Sequence, residues 1–482
     1  MRTALFLLLL LAAAAIPGSL VPQRSADPNG VTTYFQQNPQ LAPVLDKLQL
    51  FDVYSSAWFS AIYILLFTSL IGCVLPRVKK HYLAVISAPA ATPSSMKRMP
   101  AYRAVTSKQK VLQQAEQVLK QQGYRVVADG KSVAAERGYW RETGNLIFHS
   151  ALVFVLISVG IGGAYSFSGQ RVLVEGETFV NNLAGFDSFA PGIAFDEKQL
   201  QPFSMTLEKF TAQYDLQNRQ NVGTPLDFRA DVTTQLRGSS ETSSATIRVN
   251  EPLEMPGAKV YLTGNGYAPV ITIRDGEGNV AFSGPVIFLP QDANMTSLGV
   301  IKVPDAKPSQ FGVAAFFYPT VAKLKTGAFT SGFPAPVNPL LTMNIYEGDL
   351  GLDNGIPSNV FSLATHGLKQ LTGGKTGVKS IELEIGQSAV LPKGLGTVSF
   401  DGLKRYAALD IDYNPTQVWV LISALLALGG LILSLLVPRR RVWVKQTANG
   451  FEVAALARGD DPNLIRVIDE IIEELQSKKA TK

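Results

Sequence analysis

Cysteine is almost missing from this chain, with Cys73 the one thiol in 482 residues. A disulfide framework, a thiol redox pair and a multi-cysteine zinc site are therefore excluded within a single copy. Histidine is nearly as scarce, as only His81, His149 and His366 occur. Charge is thin too: 17% of residues are charged and 46% hydrophobic, whereas soluble domains carry about a quarter charged residues. The 44 Lys and Arg outnumber the 38 Asp and Glu, but they gather beside apolar runs and not in aromatic-laced patches. That pattern signals membrane topology and argues against nucleic acid as a partner. No histidine–nucleophile pair or paired carboxylates can be recognised, which leaves no hydrolase site to propose.

Long apolar runs are present in their place. Residues 4–21 form one, suited to a first membrane helix or a signal anchor. Trp58 to Leu75 forms the next, closed by Pro76, Arg77, Lys79 and Lys80, whose positive charge marks a cytoplasmic end. Between these two runs, NPQLAPVLDKLQLFDVYSS reads as an outer loop with a short interfacial helix. The third run lies within Gly138 to Phe167, preceded by Arg137 and Arg141, and VWVLISALLALGGLILSLLV from Val418 to Val437 is the fourth. PRRRVWVK follows it and again sets the positive charge inside.

The intervening segments differ in character. After a Pro-, Ala- and Ser-rich linker at 89–100, Val111, Ala115, Val118 and Leu119 recur at helical spacing, and Gly123 ends that helix. YRVVA and KSVAAE then flank Asp129-Gly130 as a hairpin. From Ser168 to Pro415 short alternating segments such as FSMTLEKF, FRADVTTQL, SATIRVN, AKVYLTG, APVITIRD and VAFSGPVIFL are separated by Gly, Asn, Asp and Pro, the pattern of an antiparallel β domain. In the tail, Asp461 and Pro462 open a helix with Leu464, Val467, Ile468, Ile471 and Leu475 on one face. Packing of that face on the chain's own cytoplasmic unit is favoured over a partner.

The expected fold is an α-helical membrane protein with four transmembrane helices and a large extracytoplasmic all-β domain. The divisions are 1–21, first helix or signal anchor; 22–57, outer loop; 58–75, second helix; 76–145, cytoplasmic linker and helix-hairpin unit; 146–167, third helix; 168–417, β-rich domain; 418–437, fourth helix; 438–482, cytoplasmic tail. Both termini are expected in the cytoplasm of a multi-pass cell-membrane protein.

Two apparent motifs fail. Gly374 to Thr376 reads GKT, but Lys369 stands where a phosphate loop needs its first glycine. In EGDLGLDNG, residues 347–355, Gly351 interrupts the alternate oxygen ligands of a calcium loop. His149 is different, because an ionisable residue in an apolar span needs a reason. It can ligate a metal or haem, relay protons, or hydrogen-bond a neighbouring helix. Asn145, Val153, Leu156 and Gly160 share its face, and Gly160, Gly162 and Gly163 offer close approach to a helix or planar ligand. His81, after RVKK, reads as a solvated interfacial residue and His366 as a loop residue of the β domain.

LQLFDVYSSAWF, GYWRETGNLIFHSALV, RVNEPLEMPGAKVYLTGNGY, IYEGDLGLDNG and LKRYAALDIDYNPTQVWV, taken in order, resemble the ResB-like (Ccs-type) membrane proteins of the second cytochrome c biogenesis system. The actinobacterial branch is most alike. The resemblance implies a component that, with a ResC/CcsA-like partner, carries haem b across the membrane and supports its covalent attachment to apocytochrome c. It also implies a separate thioredoxin-like reductase, since the chain has no cysteine pair. His149 matches the family's histidine in the third span, a haem axial ligand, while His366 matches no motif and remains a second candidate for binding haem. The chain is then part of a haem lyase complex and not an enzyme alone. The alternative is a non-enzymatic membrane sensor or anchor whose β domain binds an outer ligand.

Overall fold

Eight α-helices occur among the described residues: α1 Arg2–Leu20, α2 Pro28–Gln37, α3 Ala42–Lys47, α4 Ala57–Ile86, α5 Leu112–Gln121, α6 Trp140–Tyr165, α7 Gln417–Leu436 and α8 Leu464–Ser477. The computed structural model describes residues 2–217, 222–352, 359–374 and 376–477. Two units result, one made of Met1–Gly163 with Pro415–Lys482 and the other of Ala164–Asn414. The calcium-loop-like and phosphate-loop-like stretches fall partly outside the described residues.

In the first unit, α1, α4, α6 and α7 are long and apolar enough to cross a membrane. α4 extends well past the charged boundary at Leu75, because Pro76 removes one backbone donor without ending the helix. Arg77, Lys80 and His81 are thus helical residues continuing the apolar span. α6 likewise begins early, at Trp140, with Glu142 in its first turn, where a carboxylate complements the helix dipole.

Small residues form the buried seams of this bundle. α6 buries Gly144, Ala151, Ser158 and Gly162, and α7 buries Ser423, Ala427 and Gly430. Lipid gives helices little hydrophobic reason to associate, so close backbone packing supplies the attraction. At Gly144 and Gly430 the approach is extreme: a Cβ on Gly144 would lie 2.7 Å from the Gly430 carbonyl oxygen, and one on Gly430 would lie 2.6 Å from the Phe148 nitrogen. Of the glycines singled out from sequence, Gly162 is buried in the seam, whereas a Cβ on Gly160 would make ordinary contact with Tyr63 and one on Gly163 would meet nothing within 4 Å. Towards that end the Tyr63 hydroxyl donates to the Leu156 carbonyl and Thr416 Oγ1 donates to the Ser158 carbonyl at 2.7 Å.

A five-stranded antiparallel sheet completes the first unit. Its spatial order is Ala101–Thr106, Gly450–Ala457, Arg440–Thr447, Ser132–Arg137, Arg125–Ala128. The hairpin across Asp129-Gly130 is present, with Val127 opposite Ala134. The sequence divides 76–145 from 438–482, yet the two share this sheet through the pairing of Val442 with Ala135 and Val444 with Val133. α5 and α8 cover one face, where Val118, Leu119, Val133, Val444, Ile468 and Ile471 are fully buried. The tail helix therefore packs on its own unit, as its apolar stripe predicts. Strand alternation turns Trp443 to the opposite face, against Met96, and its Nε1 donates to the Ala90 carbonyl at 3.0 Å.

The second unit is β-rich. Two long antiparallel strands, Ala258–Arg274 and Gly396–Tyr413, run through two hydrophobic cores. One core gathers Phe167, Leu207, Val260, Leu409 and Ile411, and the other Tyr267, Ile271, Phe317 and Phe400. AKVYLTG and APVITIRD, which the sequence separates at Gly264 to Gly266, form one continuous strand. Gly266 is there for clearance, since a Cβ at that position would lie 2.4 Å from the Tyr406 hydroxyl. A four-stranded sheet built on Phe203–Tyr214 and Pro225–Leu236 flanks the first core, and a six-stranded sheet including Phe311–Tyr318 and Leu340–Glu347 encloses the second.

Candidate functional site

His149 sits on α6 one turn beyond Asn145, and its Nδ1 lies 2.8 Å from the Asn145 carbonyl oxygen. A carbonyl can only accept, so Nδ1 carries the proton, and in the neutral ring Nε2 keeps its lone pair. The helix thereby fixes the tautomer that a metal-ligating imidazole requires. Phe148 meets the imidazole edge to face at 5.1 Å between centroids, which restrains the ring. Nε2 faces the Arg77 guanidinium on α4, at 3.5 Å, and Arg77 also reaches Asn145 Oδ1 at 3.4 Å. Both contacts are at the long end of hydrogen-bond distance.

Arg77 and Asn145 also line a cavity of about 510 Å³ where α4, the start of α6, the end of α7 and the sheet meet. Lys80, Arg141, Arg439, Arg441 and Arg458 add five more cationic side chains to its wall, against Glu142 as the lining acid. Glu142 is shared between Arg458, at 2.5 Å, and Arg439, at 3.7 Å. Glu136, buried in the adjoining strand, holds Arg439 at 2.7 Å and Arg441 at 3.1 Å. Burial alone would raise the Glu136 carboxyl, but the hydrogen bond and charge of Arg439, with those of Arg441, hold it below the usual glutamate range. The next arginine is committed elsewhere: Arg440 grips Asp461 at 2.6 and 3.1 Å and so ties the start of the tail helix to the sheet.

The other histidines occupy different settings. His81, expected to be solvated, is half-buried in the cavity wall, with Nε2 3.0 Å from Thr143 Oγ1 and a buried Nδ1 that meets no partner. His366 is exposed in a turn before Gly367 in the second unit. No group of three or more His, Cys, Asp or Glu suited to a metal occurs among the described residues. In the second unit, burial pushes the Asp410 and Asp412 carboxyls up, with the Asp412 charge adding at Asp410. Sequence reasoning missed the cavity. Arg77, Arg141, Arg439 and Arg441 were visible as topology signals on three separate segments, but nothing local announced that they converge, or that Arg458 joins them.

Four helices long and apolar enough to cross a membrane, with an imidazole and a guanidinium between two of them, give the chain the character of a membrane protein. Comparison with known families is specific: the chain belongs to the ResB-like family, which it matches over residues 1–469. Among curated relatives, cytochrome c biogenesis protein CcsB of Synechococcus sp. (strain CC9311) is 29% identical over 273 residues, 54% of this chain and 57% of that protein. Cytochrome c biogenesis protein Ccs1 of Rhodomonas salina is 25% identical over 275 residues, covering 55% and 58% respectively. CcsB of Prochlorococcus marinus (strain AS9601) is 23% identical over 455 residues, which span 92% of this chain and 89% of the relative. The Synechococcus match thus spans little more than half of its relative's length, whereas the Prochlorococcus match runs nearly end to end.

Proposed function

We propose that this protein acts in cytochrome c maturation, taking haem b at the cytoplasmic side of the membrane and passing it towards covalent attachment to apocytochrome c. The observation that carries this reading is the family match over residues 1–469, whose curated relatives bear the name cytochrome c biogenesis protein. In this reading the sheet of the first unit and both termini are cytoplasmic and the β-rich unit is extracytoplasmic, as the basic residues flanking α4, α6 and α7 favour. A ResC/CcsA-like membrane protein supplies the second half of the complex, and a separate thioredoxin-like protein keeps the apocytochrome thiols reduced. Ligation belongs to that complex and not to this chain alone.

Haem is cargo here, and His149 is its axial ligand. Its Nδ1–H is already engaged by the Asn145 carbonyl, leaving Nε2 as the nitrogen to bind iron, the arrangement that orients ligating histidines generally. Arg77 has to move off Nε2 before iron can approach. His366, exposed and in no group of three or more His, Cys, Asp or Glu among the described residues, takes no part in this step.

The test is complementation of a strain lacking this chain, with covalent haem on a c-type cytochrome as the readout. Wild type restores haem staining and His149→Ala does not, while added imidazole restores part of it by occupying the vacated ligand position. Normal haem attachment in the deletion strain would instead leave the protein as a sensor or anchor.

A further inference from the structure

The cavity next to His149 has more positive charge than the protein itself neutralises. Six cationic side chains line it, Arg77, Lys80, Arg141, Arg439, Arg441 and Arg458, and among the described residues the acids paired with them are Glu142 in the wall and Glu136 beneath it. Gathering that many cations where three apolar helices end is electrostatically costly unless an anion joins them. Guanidinium groups are, moreover, the side chains suited to paired oxygens, whether carboxylate or phosphate.

Position narrows the ligand. The cavity adjoins the imidazole through two shared neighbours, because the Asn145 carbonyl accepts the Nδ1–H of His149 and Arg77 faces its Nε2, and both residues line the wall. Arg141, eight residues and about 12 Å before His149 along α6 at ~1.5 Å per residue, also lines the cavity, so cationic groups lie on the Arg141 side of the imidazole. Two groups in the wall are poorly satisfied: Arg77, with contacts of 3.4 and 3.5 Å, and His81, whose buried Nδ1 meets no partner.

We propose that this basic cavity is a carboxylate site that holds the two propionates of the haem whose iron His149 ligates, with Arg77 exchanging the imidazole for a propionate as iron arrives. This rests on the reading of His149 as a haem ligand and adds what orients the porphyrin: its carboxylate edge lies towards Arg141 and its apolar edge towards the span. The same oxyanion chemistry is offered by an acidic lipid headgroup, and the experiment separates the two.

The full-length protein in nanodiscs of zwitterionic phosphatidylcholine is titrated with ferric haem and with its dimethyl ester, which lacks the charged carboxylates, and binding is followed in the Soret band. The free acid is expected to bind at least tenfold more tightly than the ester. The exposed Lys80→Gln should narrow that ratio without changing the spectrum of the bound haem or the melting temperature, and Arg77→Gln should narrow it further. Equal affinity for acid and ester in the wild type overturns the propionate site while leaving His149 as a ligand. Uptake of neither, or spectra that His149→Ala leaves unchanged, overturns the haem reading itself. If replacing the lipid by phosphatidylglycerol abolishes the preference in wild type, the cavity is a headgroup site and the proposal falls.

Discussion

Glu136 is the residue on which the charged end of the bundle turns. Its side chain is almost fully buried and accepts from both Arg439 and Arg441, and the Tyr139 hydroxyl adds a third donor at 3.1 Å. Removing one partner of such a buried pair leaves the other charge uncompensated, so Glu136→Gln should cost the first unit about 3 kcal/mol, read as a lower denaturation midpoint. Glu136 and Asp461 both have carboxyls held below their ordinary range, Asp461 chiefly by its hydrogen bond from Arg440. The stability they contribute is fully present above their unfolded values of about 4 and is lost as pH falls through their lower folded values. Acid should therefore loosen the sheet below about pH 4, and the fluorescence of buried Trp443 will report it. In Glu136→Gln the acid-dependent loss should be smaller.

At the scale of elements, the α6–α7 crossing depends on two glycines that sequence reading passed over. A side chain on Gly430 would run into backbone atoms of α6 at 2.6 and 2.7 Å, whereas one on neighbouring Gly429 would meet nothing within 4 Å. Gly430→Val should lower stability by about 1–3 kcal/mol relative to Gly429→Val and, under the proposed function, should also weaken haem binding, because Phe148, whose backbone would be displaced, adjoins His149. Matched melting temperatures for the two variants would show that the helices do not meet as described. The same contrast explains which elements the sequence discloses. The spanning helices, the hairpin at Asp129 and the apolar stripe of α8 carry their own periodicity and are legible. The Gly144–Gly430 contact and the convergence of Arg77, Arg141 and Arg439 are made between distant segments, and no window of sequence contains both partners. His149 was legible as an oddity because lipid makes an imidazole costly, but its fixed tautomer needed the Asn145 carbonyl to be seen.

For the molecule as a whole, the β-rich unit is an insertion. Residues 164–414 interrupt a first unit that is otherwise built from the two ends of the chain. Thr416 donates to the Ser158 carbonyl, so the first unit brings the two sides of the interruption together by itself. Each unit also has its own buried core. Domains of this kind fold on their own when their cores are separate. Replacing residues 164–414 with a short Gly/Ser linker should leave the first unit folded, with buried Trp443 fluorescence retained and with it the ferric haem binding proposed above, but unable to support cytochrome c maturation. Loss of the Trp443 signal in that deletion would show that the first unit depends on the second.

The strand pairing between Ser132–Arg137 and Arg440–Thr447 also sets the timing of biogenesis. Glu136 and Arg439 are 303 residues apart, and at roughly 5–20 residues per second a ribosome needs on the order of 15–60 s to travel from one to the other. Throughout that interval the early hairpin has no neighbouring strand and Glu136 has neither guanidinium. The basic cavity, which draws Arg439, Arg441 and Arg458 from the last strands made, does not yet exist. A nascent or prematurely terminated chain can therefore carry His149 without the chamber beside it, so the proposed competence to receive haem is conferred only when translation is nearly finished.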